Sequence, residues 1–135
     1  MSIVTGISAI VSNDKYSFES VTPVFDSYYS KVTGTTHVVS QWACEVAAVI
    51  PASASPINAG FRLVVPSTLR ATNFLNAYQI AGSACLHIGT DTVMYGFVKS
   101  VPGAQTMWVD FIDVPTQLSV TTACKIRVST IVLGT

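Results

Sequence analysis

The sequence consists largely of short runs rich in valine, isoleucine, threonine and aromatic residues, separated by clusters of glycine, proline, serine, asparagine and aspartate. Within many of these runs apolar and polar residues alternate with a period of two, the side-chain period of a β-strand with one buried face. The sequence has no heptad and no sustained 3.6-residue period. The pattern predicts an all-β fold of about eight strands, a number that suits two packed sheets. We therefore expect an antiparallel, jelly-roll-like β-sandwich.

One run, over residues 36–49, shows the alternation over the greatest length. Five apolar residues fall at even positions, whereas the polar residues His37, Gln41 and Glu45 fall at odd positions. One face of this strand is therefore expected to be core, and the other to meet water or a partner. The expected core positions are Val38, Trp42, Cys44, Val46 and Ala48.

Another strand is expected to begin after a glycine, with Phe61, Leu63 and Val65 facing the core. Pro66 ends this strand, because proline has no N–H to donate to a neighbouring strand. The following segment, residues 67–78, is the only part of the chain whose sequence allows a helical turn.

The second half of the chain indicates a hairpin and two further strands. Residues 79–88 alternate, residues 89–92 (Gly-Thr-Asp-Thr) are typical of a tight turn, and residues 93–99 return as the partner strand. Residues 107–112 and 125–133 also alternate. These segments complete the predicted set of strands.

The N-terminal segment follows the pattern less clearly, since Asn13, Asp14 and Pro23 interrupt two strand-like runs. Two arrangements fit it: an extended arm that lies on a neighbouring subunit, or an ordinary first hairpin. We therefore divide the chain into an N-terminal arm or hairpin, residues 1–27, and a β-sandwich domain, residues 28–135.

The charge content excludes several classes of function. Only 10% of the 135 residues are charged, and 7 basic side chains balance 7 acidic ones. Without a basic run, the chain lacks the electrostatic surface that attracts nucleic acids and anionic membranes, so neither is an expected partner. A hydrophobic content of 50% excludes a disordered chain. The longest stretch without charge or proline, residues 71–90, carries too many polar side chains for a membrane span.

The cysteines and histidines do not form a metal-binding motif. No CxxC pair and no Cys/His cluster is present, so Cys44, Cys85 and Cys124 are expected to be buried, reduced thiols. His37 and His87 have no neighbouring ligand or nucleophile and are expected at the surface. The sequence therefore predicts no metal site and no disulfide framework.

The acidic residues do not form a catalytic motif either. Asp91 is expected to stabilise a turn, and Asp110 and Asp113, three positions apart, are expected at a solvated loop edge. The motifs of serine hydrolases, zinc proteases, phosphate-binding loops and dinucleotide-binding folds are absent from the sequence. We therefore expect a protein that is not an enzyme and that uses no cofactor.

Apolar residues at outward strand positions are the best candidates for a binding surface. Trp108 alternates with apolar strand residues and is expected to point outward, where its ring offers a large contact area at low entropy cost. Such residues are enriched at subunit contacts, so we expect them to lie in an interface. The candidate interface residues are Tyr28, Tyr29, Val39, Val64, Trp108 and Ile131, with Tyr95 and Val98 as further outward positions.

Four short motifs follow one another in order over residues 28–133: aromatic-x-Lys-Val, Phe-x-Leu-x-x-Pro, Gly-x-Ala and Ile-x-Val-Ser. They are formed by Tyr29, Lys31 and Val32, by Phe61, Leu63 and Pro66, by Gly82 and Ala84, and by Ile126, Val128 and Ser129. This order resembles a small, jelly-roll-like β-sandwich module of tailed-bacteriophage virion proteins, which occurs in capsid decoration proteins, head fibres and tail-fibre tips. In that module a glycine more often follows the valine directly, whereas here Thr33 precedes Gly34.

The resemblance implies a non-enzymatic virion component, made in the host cytoplasm, that forms a homotrimer or another homo-oligomer. Because the chain has no heptad stalk and no collagen-like repeat, we favour a decoration (cement) protein bound to the major capsid protein on the capsid surface. The alternative is a tail-fibre or head-fibre tip that presents Trp108 and the loops around Gly89 and Pro102 to a host-surface receptor or glycan. A third hypothesis, a carbohydrate-binding module outside any virion, predicts a stable monomer.

Overall fold

A computed structural model describes residues 2–5, 10–33, 38–64, 78–101, 106–116 and 119–134 of the chain. These residues contain nine strands, eight of them at least seven residues long, and no helix. The strands are β1 (Ser2–Thr5), β2 (Ile10–Tyr16), β3 (Ser20–Thr33), β4 (Val38–Ile50), β5 (Ile57–Val64), β6 (Tyr78–Ile88), β7 (Asp91–Val101), β8 (Thr106–Val114) and β9 (Thr122–Gly134). The predicted all-β, antiparallel fold is confirmed.

The strands form one continuous sheet in the order β1-β3-β4-β9-β6-β7-β8-β5-β2, and every neighbouring pair is antiparallel. Strand β7 joins the two halves of this sheet. Its first part, up to Gly96, pairs with β6, and its second part, from Phe97 onward, pairs with β8. The sheet therefore turns a corner within β7.

The sheet is barrel-like and nearly closed, so the expected arrangement of two stacked sheets is not confirmed. The two end strands of the sheet, β1 and β2, are also neighbours along the chain, since Thr5 ends one and Ile10 begins the other. Five residue steps span at most about 18 Å, so the two edges lie close to each other. In addition, β2 contacts β3, which lies next to the opposite edge.

The N-terminal residues belong to this sheet. Strand β2 pairs with β5, and strand β3 pairs with β1 and β4, so β2 and β3, where the two strand-like runs lie, do not form the first hairpin. The extended arm is not confirmed, because both segments pair within their own chain. Strand β3 runs through residues 27 and 28, the predicted boundary, and the division of the chain there stays a prediction.

The core lies inside the curved sheet and contains the predicted inward positions. Cys44, Val46 and Ala48 are buried on β4, as are Phe61 and Leu63 on β5. The side chains of Val38, Trp42 and Val65 and the segment 67–77 lie outside the described residues. Phe18, between β2 and β3, completes the core, with ring centroids 6.3 Å from Phe61 and 6.4 Å from Phe111.

The hairpin of β6 and β7 turns at Gly89 and Thr90, as predicted. Gly89 has a φ of 62°, a left-handed conformation that glycine adopts without steric cost. On β7 the outward position predicted for Tyr95 is confirmed, since this residue is 72% exposed, whereas the outward position predicted for Val98 is wrong. Val98 packs against the core, and Phe97 points outward with 60% of its surface exposed.

Candidate binding face

Four neighbouring strands, β7, β8, β5 and β2, carry a mixed set of aromatic and charged side chains on their outer surface. Directly opposite residues project to the same side of a sheet. Phe97 lies opposite Asp110, Asp110 lies opposite Gly60, and Gly60 lies opposite Tyr16. These residues face outward, because the alternating residues of β8 are buried in the core. We call Tyr16, Arg62, Phe97, Lys99, Trp108 and Asp110 the aromatic–ionic face.

The adjacent row of this face centres on Trp108, which lies opposite Lys99 on one side and Arg62 on the other. The guanidinium carbon of Arg62 lies 5.8 Å from the centroid of the Trp108 ring, a distance at which the cation is attracted to the ring face. Arg62 also forms an ion pair with Asp14. The Tyr16 ring lies diagonally across, 6.3 Å from Trp108 between centroids and tilted by 45°. The face is thus held together by contacts across strands.

Asp110 is the polar centre of the aromatic–ionic face. The Tyr16 hydroxyl donates a hydrogen bond to Asp110 Oδ1 at 2.5 Å, and Lys99 Nζ lies 3.0 Å from Asp110 Oδ2. Only 16% of the Asp110 side chain is exposed, compared with 66% for Lys99. Burial, and then the hydrogen bond to Asp110 and its negative charge, raise the pKa of Tyr16 to about 12. The Tyr16 hydroxyl therefore keeps its proton at neutral pH. Together with Lys99 Nζ, it fixes the orientation of the Asp110 carboxylate.

Gly60 explains how Tyr16 reaches Asp110 across β5. A Cβ at Gly60 would lie 2.6 Å from Asp110 Oδ1 and 2.6 Å from the Tyr16 hydroxyl oxygen. Real Cβ atoms do not come so close to other heavy atoms. The absence of a side chain at this strand position therefore leaves the space that the hydrogen bond occupies.

A groove of about 510 Å³ opens beside Asp110, close to the point where β7 changes partner. Its most exposed apolar residues are Phe97, 60% exposed, and Ile112, 53% exposed. Its polar residues include Tyr16, Asn58, Lys99 and Asp110, and two glycines, Gly82 and Gly96, also line it. The groove therefore combines an exposed aromatic ring with hydrogen-bond donors and acceptors.

The opposite half of the sheet presents a different outer surface. Tyr95 on β7 is 72% exposed and lies opposite Cys85 on β6. Cys85 in turn lies opposite Arg127 on β9, and Arg127 lies opposite Glu45 on β4. Glu45 is held by Arg127, with Nε 3.0 Å from Oε2, and by Lys125, with Nζ 3.8 Å from Oε1. Many other outer positions of these strands are small: Ala43, Ala47, Ser83, Ala123 and Ser129. We call this surface the β4–β9–β6 face.

The structure confirms the predicted orientation of Trp108 and corrects the predicted position of Asp110, while the interface role of Trp108 stays a prediction. Trp108 points outward, as expected, since Met107 and Val109 on either side of it are buried. The prediction for Asp110 is wrong: it lies within β8, mostly buried and paired, and not at a solvated loop edge. Asp113 is exposed, and its backbone N–H donates to Asn58 Oδ1 at 3.1 Å.

The remaining candidate interface residues are divided between the two halves of the sheet. Tyr28 and Tyr29 lie on β3, Val39 on β4 and Ile131 on β9, which are three adjacent strands. Val64 is half-buried on β5, opposite Thr106 of β8, and so lies near Trp108. The structure does not bring all six candidates to one surface.

The three thiols and the imidazole of His87 take little part in either surface. Cys44 and Cys124 are buried, and burial raises their pKa to about 12 and about 11. Cys85 is partly exposed, and all three thiols are free. His87 Nδ1 lies 3.1 Å from Thr92 Oγ1, and His37 lies outside the described residues. Within the part of the chain that the structure describes, no three His, Cys, Asp or Glu residues are grouped to hold a metal ion.

Comparison of the chain with protein-family models, with curated proteins and with solved structures found no match in any of the three. Nor do the described residues contain a helix long and apolar enough to cross a lipid bilayer. The candidate site is therefore defined by its geometry alone. Sequence reasoning missed Tyr16, Asp110 and Phe97 as a group, because strand pairing joins them and no short motif contains them.

Proposed function

We propose that this chain is a structural, non-enzymatic protein that acts through contacts with copies of itself and with other proteins. In its finer form, the proposal is a capsid decoration protein of a tailed bacteriophage, trimeric on the capsid surface and bound to the major capsid protein. The resemblance over residues 28–133 supports the virion role. The described surface supports a role in adhesion.

The observation that carries the proposal is the outer surface around Tyr95. Antiparallel sheets with one solvated face usually alternate apolar inward and polar outward residues. Here the large ring of Tyr95 is 72% exposed and adjoins the β4–β9–β6 face, where alanine and serine hold many of the outward positions. At these small side chains another protein can approach the sheet closely, with the exposed ring as an anchor and the ion pairs of Glu45 with Lys125 and Arg127 as polar contacts beside it.

The first test is the mass of the protein in solution. Sedimentation equilibrium of the wild-type chain should give about three times the 14.3 kDa monomer mass at micromolar concentrations. Tyr95→Ser should shift the equilibrium towards monomer, because the variant loses the aromatic anchor. Phe97→Ala, a change at a similarly exposed ring on the same strand, serves as the control and should keep the wild-type mass. A monomeric wild-type protein at all concentrations would overturn self-association.

The second test locates the protein on virus particles. An antibody against the chain, detected by gold labelling in electron microscopy, should mark the whole capsid surface. Particles that lack the protein should release their DNA at a lower temperature, since the cement contacts between shell subunits are missing. Label confined to the tail would contradict the capsid role.

A fibre tip that binds a host receptor or glycan is the second candidate. The groove beside Asp110 favours it, because the groove offers an exposed ring together with fixed polar groups. Label at the tail or at fibre ends in the same experiment would support this candidate.

A further inference from the structure

We propose that the groove beside Asp110 is a binding site for a neutral saccharide unit. A pyranose ring would place its C–H face on Phe97 and its hydroxyl groups on Asp110, Asn58 and Lys99. The site does not depend on the capsid role, since it would serve a free protein, a decoration protein or a fibre tip equally. Nothing in the self-association proposal requires it.

The apolar half of the argument rests on Phe97. Its ring is 60% exposed although it lies in the middle of β7, and Ile112, 53% exposed, lines the same groove. Binding sites for small molecules pair such apolar walls with a few well-placed polar groups. A pyranose has an apolar face of C–H groups, whose area matches one aromatic ring.

The polar half rests on groups that are already held in place. A carboxylate has about four acceptor positions, and Tyr16 and Lys99 occupy one on each oxygen of Asp110. The partly exposed carboxylate can therefore accept further hydrogen bonds from a ligand, and bonds to a charged acceptor are stronger than neutral ones. Asn58 Oδ1 accepts a hydrogen bond from the Asp113 N–H. The NH2 group of the Asn58 amide takes no part in that bond and is the donor that the side chain offers to a ligand.

The charge of the groove selects a neutral ligand. Lys99 and Asp110 lie 3.0 Å apart and cancel each other, so neither an anion nor a cation would meet a net opposite charge. A hydroxyl group both donates and accepts, and therefore suits a site that offers the carboxylate of Asp110 as acceptor and Lys99 and Asn58 as donors. Saccharides combine such hydroxyls with an apolar face, whereas a purely apolar ligand would leave the polar groups unsatisfied.

The test is an NMR titration of ¹⁵N-labelled full-length protein with the methyl glycosides of glucose, galactose, mannose and N-acetylglucosamine. At least one sugar should bind with a dissociation constant on the order of millimolar. The shifted backbone amide signals should cluster at residues 96–99 and 110–112. Phe97→Ala should weaken binding about tenfold through loss of the ring contact. Asp110→Asn should also weaken it, because the amide is a poorer acceptor than the carboxylate.

Tyr95→Ala is the matched control, because Tyr95 is equally aromatic, even more exposed, and lies two positions away on the same strand outside the groove. This variant should bind the sugar as the wild type does. Three results would overturn the proposal: no sugar shifts any groove signal, Phe97→Ala binds normally, or Tyr95→Ala loses as much affinity as Phe97→Ala. The proposal would also be overturned if the amide signals of the groove shifted with protein concentration in the absence of sugar. Such shifts would show that the groove is a contact between copies of the chain. None of these four NMR results affects the sedimentation test of Tyr95→Ser, so the sugar site and self-association can fail separately.

Discussion

At the scale of single residues, the hydrogen bond between Tyr16 and Asp110 shows why the site could not be found from the sequence. The two residues are 94 positions apart and lie on strands separated by β5. Local alternation predicts which way a residue faces, but it does not predict which strand lies beside which. The spacing of Asp110 and Asp113 therefore predicts a loop edge, although the surroundings of Asp110 in the fold are formed by β2, β5 and β7.

Tyr16→Phe should change how stability depends on pH. The pKa of tyrosine is about 10 in an unfolded chain, and it is raised to about 12 in the folded protein. The folded state thus favours the protonated hydroxyl, so its contribution is complete below about pH 10 and is lost as the pH rises through about 12. Urea unfolding at neutral pH should show the variant less stable by about 1 kcal/mol.

The difference between wild type and Tyr16→Phe is the informative quantity, because ionisation of the buried thiols of Cys44 and Cys124 destabilises both proteins alike at high pH. That difference should shrink steadily from about pH 10 to about pH 12. A difference that stays constant over this range would show that the hydroxyl makes no stabilising contact with Asp110.

At the scale of elements, the strands differ in how far the sequence determines them. In β5 and β9 the inward positions follow from alternation, because glycine or polar residues separate the apolar ones, and in β4 and β8 the charged residues Glu45 and Asp110 mark the outward face. In β7 the run Val93–Val98 is almost entirely apolar, so a period of two cannot identify the buried face. The corner within this strand and the order of the sheet arise from pairings between distant segments, which leave no local pattern.

The corner of β7 depends on Gly96. A Cβ at this position would lie 2.6 Å from Cε1 of the buried Phe111 ring and 2.8 Å from the backbone oxygen of Asp110. Gly96→Ala should therefore force β7 away from β8 and lower the free energy of unfolding by about 2–3 kcal/mol. Gly60→Ala should cost less, because the atoms it meets are the ends of the Tyr16 and Asp110 side chains, which can move.

A double-mutant comparison checks the reason for this difference by urea unfolding. Combining Gly60→Ala with Tyr16→Ala should cost less than the sum of the two single changes, because the clash with the tyrosine hydroxyl is gone. Gly96→Ala with Tyr16→Ala should be additive, since Tyr16 is not among the nearest atoms to a Cβ at Gly96. Equal stability of Gly96→Ala and wild type would show that the corner has room for a side chain.

At the scale of the whole molecule, low charge and a nearly closed sheet have separate consequences. A compact monomer of 14.3 kDa exposes about 6,800 Å², and this chain exposes 7092 Å². The chain therefore buries its core without a partner, and the apolar residues that remain outside belong to surfaces such as those around Tyr95 and Phe97. The low charge content is consequently not needed for folding.

The closure of the sheet depends on residues 1–16, whose two strands cover β3 at one edge and β5 at the other. Deleting these residues removes the ladder bonds of both strands together with the Tyr16–Asp110 bond and the Arg62–Asp14 ion pair. At about 0.5–1.5 kcal/mol for each hydrogen bond, the loss in unfolding free energy should exceed about 2 kcal/mol. The uncovered edges should also make the shortened chain associate with itself, because unpaired strand edges accept strands from other chains.

Urea unfolding and sedimentation of two deletions, residues 1–5 and residues 1–16, separate the contributions of the two edges. The shorter deletion removes β1 alone and should lower the free energy of unfolding by less than the longer one. It leaves β2, Tyr16 and the covered edge of β5 in place. If the longer deletion kept the stability of the full chain but gave a smaller oligomer, pairing of β1 and β2 within the chain would not stabilise the fold. The extended arm that lies on a neighbouring subunit would then be the better description of the N-terminal segment, because an arm of that kind can be removed without opening the sheet.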